Sequence, residues 1–180
     1  MPEPIFLDGE NPDEYASMWD QVRAAVHPSD FIEEVWVRDV VDLTWEAIRY
    51  RRMKAAFLNA HLHDGLEELL RPLLGLSEAR EAAEGWARRD PEAIESVKEV
   101  LEDAGRSLEE VRALTLRGWL RDVERFDRLI AGAEARRNSV LREVDRRRAA
   151  FALALRSAAT PIEDADYSVL SPVTAPIRAA

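Results

Sequence analysis

A chain of 180 residues, 47% hydrophobic and 33% charged, is large and apolar enough for one buried core under a heavily charged surface, and it is not a disordered composition. Its net charge of −10 argues against broad attraction to nucleic acid or anionic membrane, although a local basic patch is compatible with it. It has no cysteine, so disulfide and thiol chemistry are excluded. The acidic opening MPEPIFLDGENPDEY lacks a basic start and apolar run, and no stretch approaches the ~20 apolar residues of a membrane span. A cytoplasmic chain with no signal peptide and no membrane contact is expected.

In chain order, residues 1–10 read as an N-terminal arm whose Ile5, Phe6 and Leu7 can dock on the body. Asn11 then caps a first helix, with Pro12 in its first turn and Asp13 and Glu14 favouring its positive end. This helix is expected to reach Val26 and to stop before Pro28, with Tyr15, Met18, Trp19, Val22 and Val26 along one stripe.

Ser29 is the expected cap of a second helix, which meets no breaker until Asp64-Gly65. That gives about 35 residues and about 52 Å. Trp36, Val40, Leu43, Ala47, Tyr50, Lys54 and Phe57 repeat at spacings of four and three, and Val37, Val41, Thr44, Ile48, Arg51, Ala55 and Leu58 form a second row beside them. Two adjacent apolar rows make a face that is covered on more than one side.

Short helical segments follow. GLEELLRPLLGL is punctuated by Pro72 and Gly75; a segment from Ser77 reaches Arg88; another opens at Asp90-Pro91, turns Ile94, Val97, Val100 and Leu101 inward, and ends at Gly105. Between Ser77 and Glu110 there are eleven Asp or Glu against five Lys or Arg.

Ser107-Leu-Glu-Glu110 has the spacing of a capping box. The helix it opens is expected to run about 50 residues, some 75 Å, weakened by about 1 kcal/mol at each of Gly118 and Gly132. Trp119, Val123, Phe126, Ile130, Ala133, Arg137, Val140, Val144, Arg147 and Phe151 keep a heptad rhythm. That pattern suits both a coiled-coil-like hairpin and a long helix of a bundle. Residues 160–180, with three prolines, read as an extended or disordered tail in which Tyr167-Ser-Val-Leu170 can add to a partner surface.

The expected fold is therefore all-α. Residues 1–159 form a single helical domain built on two long antiparallel helices, bridged by the short ones and followed by the C-terminal tail. A trial register with opposed residue numbers summing to about 181 sets Glu33 and Glu34 near Arg148 and Arg147, Asp39 near Arg142, and Lys54 near Asp127. Exposed pairs of this kind select orientation, at about 0.2–1 kcal/mol each, and apolar burial holds the fold.

Candidate sites divide by chemistry. Trp36, Val40, Leu43, Phe126, Ile130 and Val140 are the expected interaction seam. Arg49, Arg51 and Arg52, with Arg136, Arg137, Arg146, Arg147 and Arg148, are the residues that would grip a nucleic-acid backbone, against which stand the interleaved Glu134, Glu143 and Asp145. His61 and His63, beside Asp64, Glu67 and Glu68, invite a metal reading. Two histidines two apart on a helix diverge by about 200°, however, and the useful spacing is three or four, so no metal and no cofactor is expected. Glu46, Arg49, Tyr50 and Arg52 can form a polar cluster, a structural network in preference to a catalytic one. No glycine-rich phosphate loop, nucleophile elbow or paired histidine–carboxylate motif is present, and no catalytic residue is nominated.

Asn11-Pro-Asp-Glu-Tyr15, Pro28-Ser-Asp-Phe-Ile-Glu-Glu34, Val37-Arg-Asp-Val-Val-Asp-Leu-Thr-Trp-Glu46 and Arg49-Tyr-Arg-Arg52, with the later Glu134-Ala-Arg-Arg-Asn138 and Leu141-Arg-Glu-Val-Asp-Arg146, resemble a family of small uncharacterised bacterial proteins of alphaproteobacterial type. The resemblance extends to Leu155 and implies helical structure without an assigned reaction. Longer relatives carry a basic, glycine- and asparagine-rich N-terminal segment that is not found here. From the residues, the expected function is a non-enzymatic helical interaction and assembly module that forms a homo-oligomer and presents a surface to a protein partner. A nucleic-acid accessory role through the arginine stretches is the alternative.

Overall fold

The computed structural model describes residues 4–163, with side chains as far as residue 159. The first four residues of the expected extended tail instead continue the last helix to Glu163, and the rest of it lies outside the described residues. Among them the chain is all-helical, with seven helical segments and no strand: α1 (Pro12–Val26), α2 (Phe31–Ala60), α3 (Leu62–Leu74), α4 (Leu76–Ala87), α5 (Pro91–Asp103), α6 (Leu108–Gly118) and α7 (Leu120–Glu163). By its contacts the chain divides into two units, Met1–Leu141 and Arg142–Ala180, with the boundary inside α7. No helix among the described residues is long and apolar enough to cross a membrane.

Local chemistry sets most of the helix ends. Asn11 accepts the backbone N–H of Asp13 at 3.0 Å, and α1 closes at His27, whose φ of 48° turns the chain into Pro28. The cap of α2 is Asp30 rather than Ser29. Asp30 accepts from the N–H groups of Ile32 and Glu33 at 2.9 and 3.0 Å. Ser29 instead donates its backbone N–H and hydroxyl to the buried carboxylate of Glu33. The two arrangements together satisfy the helix start reciprocally. Asp90 caps α5 and Ser107 caps α6 in the same manner.

Two long elements differ from the sequence expectation. α2 does not run to His63 and stop at Asp64-Gly65. It bends at His61 and continues as α3 to Leu74. Gly65 lies inside α3, because this is where α3 and α6 cross most closely: a Cβ at this position would strike Thr115 Oγ1 and the Val111 carbonyl, and would come 2.7 Å from the Thr115 backbone nitrogen. The last helix is likewise two, an 11-residue α6 and a 44-residue α7, with Trp119 as the break between them. A glycine contributes most to unfolded-chain entropy, and Gly118 supplies the weak point where Trp119 leaves helical geometry.

Two apolar clusters result. In the first, Tyr15, Val41 and Trp45 are buried, with Phe6 of the arm and Met18, Trp19 and Val22 of α1 packed over them. Phe6, Tyr15 and Trp45 meet edge to face at centroid distances of 5.7–6.2 Å. Of the arm's apolar side chains only Phe6 packs into this cluster, Ile5 being 82% and Leu7 44% exposed. In the second, Leu66, Leu69 and Leu70 of α3 bury against Ala79 and Ala83 of α4, Val97 and Leu101 of α5, and Val111 of α6.

Along α7, the expected heptad stripe is the least exposed as far as Arg147, and its last member, Phe151, is 66% exposed. Val123 and Ala133 are buried; Phe126, Ile130, Arg137 and Val140 are half-buried; Leu129, Leu141 and most other flank positions are exposed. Between α2 and this first part of α7 run the ion pairs Lys54–Asp127, Arg51–Glu134 and Arg136–Glu46, and Phe57 meets Phe126 at 5.8 Å. As residue numbers rise on α2, those of the α7 partners fall.

The Gly65 crossing is testable. Gly65→Ala forces backbone against a methyl group and is expected to destabilise the chain by about 3 kcal/mol in urea unfolding. Gly132→Ala, with nothing within 4 Å of the added methyl, is expected to stabilise it by about 0.5–1 kcal/mol.

Candidate functional site

Three groups of polar and aromatic side chains stand out. The first ties the arm to α2. Gly9 has a φ of 83°, and the turn it permits brings Glu10 back under the arm, where its carboxylate accepts the Leu7 N–H at 2.9 Å. The same carboxylate receives Arg49 Nε at 2.7 Å and Nη2 at 2.8 Å, and the Trp45 indole N–H at 3.4 Å. Arg49 Nη2 also reaches the Ile5 carbonyl at 2.8 Å. A bidentate guanidinium on a carboxylate with only 9% of its side chain exposed is a strong geometry. Hydrogen bonding from Arg49, opposed by burial and helped by the Leu7 N–H, holds the Glu10 carboxyl down at about 2 instead of 4.5. Nearby, the Tyr15 hydroxyl donates to Asp42; burial and that bond push its pKa upward. Arg52 lies 5.5 Å from the Trp45 ring centroid and pairs with Glu14.

The second group surrounds the two histidines. His61 packs on Trp119 at 4.2 Å and on Phe57 at 4.3 Å, and the Trp119 indole N–H donates to Asp64 at 2.8 Å. Both Nδ1 atoms are occupied by backbone carbonyls, His61 by Phe57 and His63 by Ala60, while His63 Nε2 faces Asp64 at 3.2 Å. The rings stack 6.4 Å apart. No group of three or more His, Cys, Asp or Glu suited to a metal is found among the described residues. The histidines belong to an aromatic junction where α2 passes to α3 and α6 to α7.

The third group is the seam with the arginines. Val40 is buried, and Trp36, Leu43, Phe126, Ile130 and Val140 are half-buried. Arg51 pairs with Glu134 and Arg136 with Glu46, the latter at 2.9 Å. Arg137 donates to Asn138 at 3.2–3.3 Å, and Arg146 pairs with Glu143 at 2.6 Å. Arg147 and Arg148 also have interaction partners. Of the expected polar cluster, Glu46 and Tyr50 do meet, at 2.7 Å, and that hydrogen bond is the first cause of a raised Tyr50 pKa. Arg49 and Arg52 turn away to Glu10 and Glu14, and Arg136 supplies the guanidinium instead.

Reasoning from the sequence passed over Glu10 as a partner for Arg49. The two are 39 positions apart, and only the Gly9 turn hints that the arm doubles back. It also passed over the groove between α4 and α5. No family model, curated protein or solved structure matches the chain.

The Glu10 latch gives a pH prediction. A carboxyl whose folded pKa lies below its unfolded value stabilises the fold fully above the unfolded value, and that contribution is lost as pH falls through the folded one. The stability gap between the native chain and Glu10→Gln is therefore expected to be constant above about pH 5. It should then shrink between 4.5 and about 2 in pH-dependent urea unfolding.

Proposed function

We propose that this chain is a non-enzymatic helical assembly module that associates with copies of itself. The observation that carries the reading is the outer part of α7. The stripe that passes through half-buried Val140 and buried Val144 continues at helical spacing to Phe151 and Leu155, which are 66% and 55% exposed, with Leu153 also 66% exposed nearby. Apolar side chains continuing a heptad row into water mark a surface that a protein partner covers. At the other long helix, Phe31 and Ile32 are exposed at 70% and 47%, a second apolar contribution.

We infer further that α2 and the first part of α7 run in opposite directions, as arms of a hairpin, over residues 46–57 and 126–136. Supporting this are the falling partner numbers: Glu46 with Arg136, Arg51 with Glu134, Lys54 with Asp127, Phe57 with Phe126. Trp36, Val40 and Leu43 on one arm and Phe126, Ile130 and Val140 on the other then form the seam. Protein contact is preferred over nucleic-acid contact because Arg49, Arg51, Arg52, Arg136 and Arg146 each already hold a carboxylate. Binding phosphate would require breaking those pairs.

Sedimentation equilibrium on the full chain tests the reading. A concentration-dependent rise in mass is expected. Phe151→Asp with Leu155→Asp should weaken association by at least about tenfold, since each fully buried apolar side chain is worth about 1.5–3 kcal/mol. Urea stability of the variant should change little, both residues being exposed. A strict monomer at millimolar concentration contradicts the reading.

A further inference from the structure

We propose that the outer face of α7 docks into the groove between α4 and α5 of a second copy of the chain. The proposal rests on the assembly reading and names the surface that the second copy supplies.

The groove holds about 450 Å³, within the range of clefts that take up large apolar groups. Its apolar lining comes from Leu74, Ala82, Ala93 and Val100; Glu78, Glu81, Asp90 and Glu92 make it acidic, against one lining cation, Arg88. The two helices come close at Gly85, where a Cβ would stand 2.6 Å from that of Ala93. Arg80 and Arg88 pair with Glu84. Among the described residues, Glu78, Glu81 and Glu92 make no ion pair. Three carboxylates around one cleft repel one another, and a cationic occupant relieves that repulsion.

The outer segment of α7 has the matching character. Residues 142–159 carry five arginines against one glutamate and one aspartate. Phe151 and Leu155 are exposed on the row that holds Val144 and Arg147, and on a helix Arg148 lies beside that row. Arg147, Arg148 and Arg156 already take part in interactions, so the net positive charge of the segment is what matters here. An apolar ridge with cationic shoulders fits a cleft that is mainly polar and acidic, with Leu74, Ala82, Ala93 and Val100 as its apolar part. Pairing two outer α7 segments with each other sets like charge against like, which disfavours it. The contact joins two different surfaces, so it closes as a two-fold dimer when the segments are exchanged reciprocally, or extends as a chain when they are not.

Sedimentation equilibrium at low salt on two charge-reversed full-length variants tests this. Glu81→Arg with Glu92→Arg, and separately Arg147→Glu with Arg148→Glu, are each expected to weaken self-association by more than about tenfold. Mixing the two variants one to one should restore it, because each reversed groove then meets a reversed helix. If a reversal unfolds the chain, Glu81→Gln with Glu92→Gln takes its place and should weaken association in the same direction. Persistent association untouched by either reversal, or no recovery on mixing, overturns the proposal and leaves the assembly reading standing. A strict monomer overturns both. A monomer that floats with anionic phospholipid vesicles, and loses that binding in Arg147→Glu with Arg148→Glu, overturns both in favour of a lipid surface.

Discussion

Trp119 closes on His61 and Phe57 at the place where two helical runs change direction. α2 becomes α3 at His61, and α6 becomes α7 at Trp119. Neither break alone would produce the fold. A straight run from α2 would carry Leu66, Leu69 and Leu70 away from Val111 of α6, and a straight run from α6 would leave Phe126 without Phe57. With both breaks opposed, the flat rings fill the gap between the bends, and the indole N–H is satisfied by Asp64. Edge-to-face and tilted ring contacts of this kind add about 0.5–1.5 kcal/mol per pair beyond their burial. The junction separates the Trp45 cluster from the Leu70 cluster while tying the elements that build them.

Charge is organised around the same frame. The arm is fastened by Glu10 on Arg49, α1 by Arg23 on Glu34 and Glu14 on Arg52, and α7 by three cross-pairs to α2. Most are partly exposed and contribute little to stability individually. Their effect is to neutralise the arginines of α2 where they stand, which leaves negative charge concentrated on α4 and α5 and positive charge on outer α7. A chain with net charge of −10 thus carries segments of both signs, and the assembly proposed for it draws on that difference.

Much of this was legible in the sequence where the signal is local. Asn11-Pro12, Asp90-Pro91 and Ser107 announce helix starts because a cap acts within three residues. The wide apolar face of α2 and the heptad stripe of α7 were legible because burial imposes the helical period on the residues themselves. The failures have physical reasons. Asp64-Gly65 reads as a helix stop, and only the approach of α6 shows that glycine is needed there for contact. Gly118 registers in sequence as a loss of about 1 kcal/mol, and it takes the ring contacts of Trp119 to turn that weakness into a break. The Glu10–Arg49 latch and the α4–α5 groove join residues whose proximity is decided by tertiary packing, so no periodic pattern points to them.

The fold depends most on the two bends being clamped to each other, and a double-mutant cycle between Phe57 and Trp119 measures that directly. Phe57→Leu, Trp119→Leu and the double variant would be compared by urea unfolding. A coupling energy of about 1 kcal/mol is expected if the rings meet edge to face as described. Strict additivity of the two single losses would contradict it, because the bends would then be held independently.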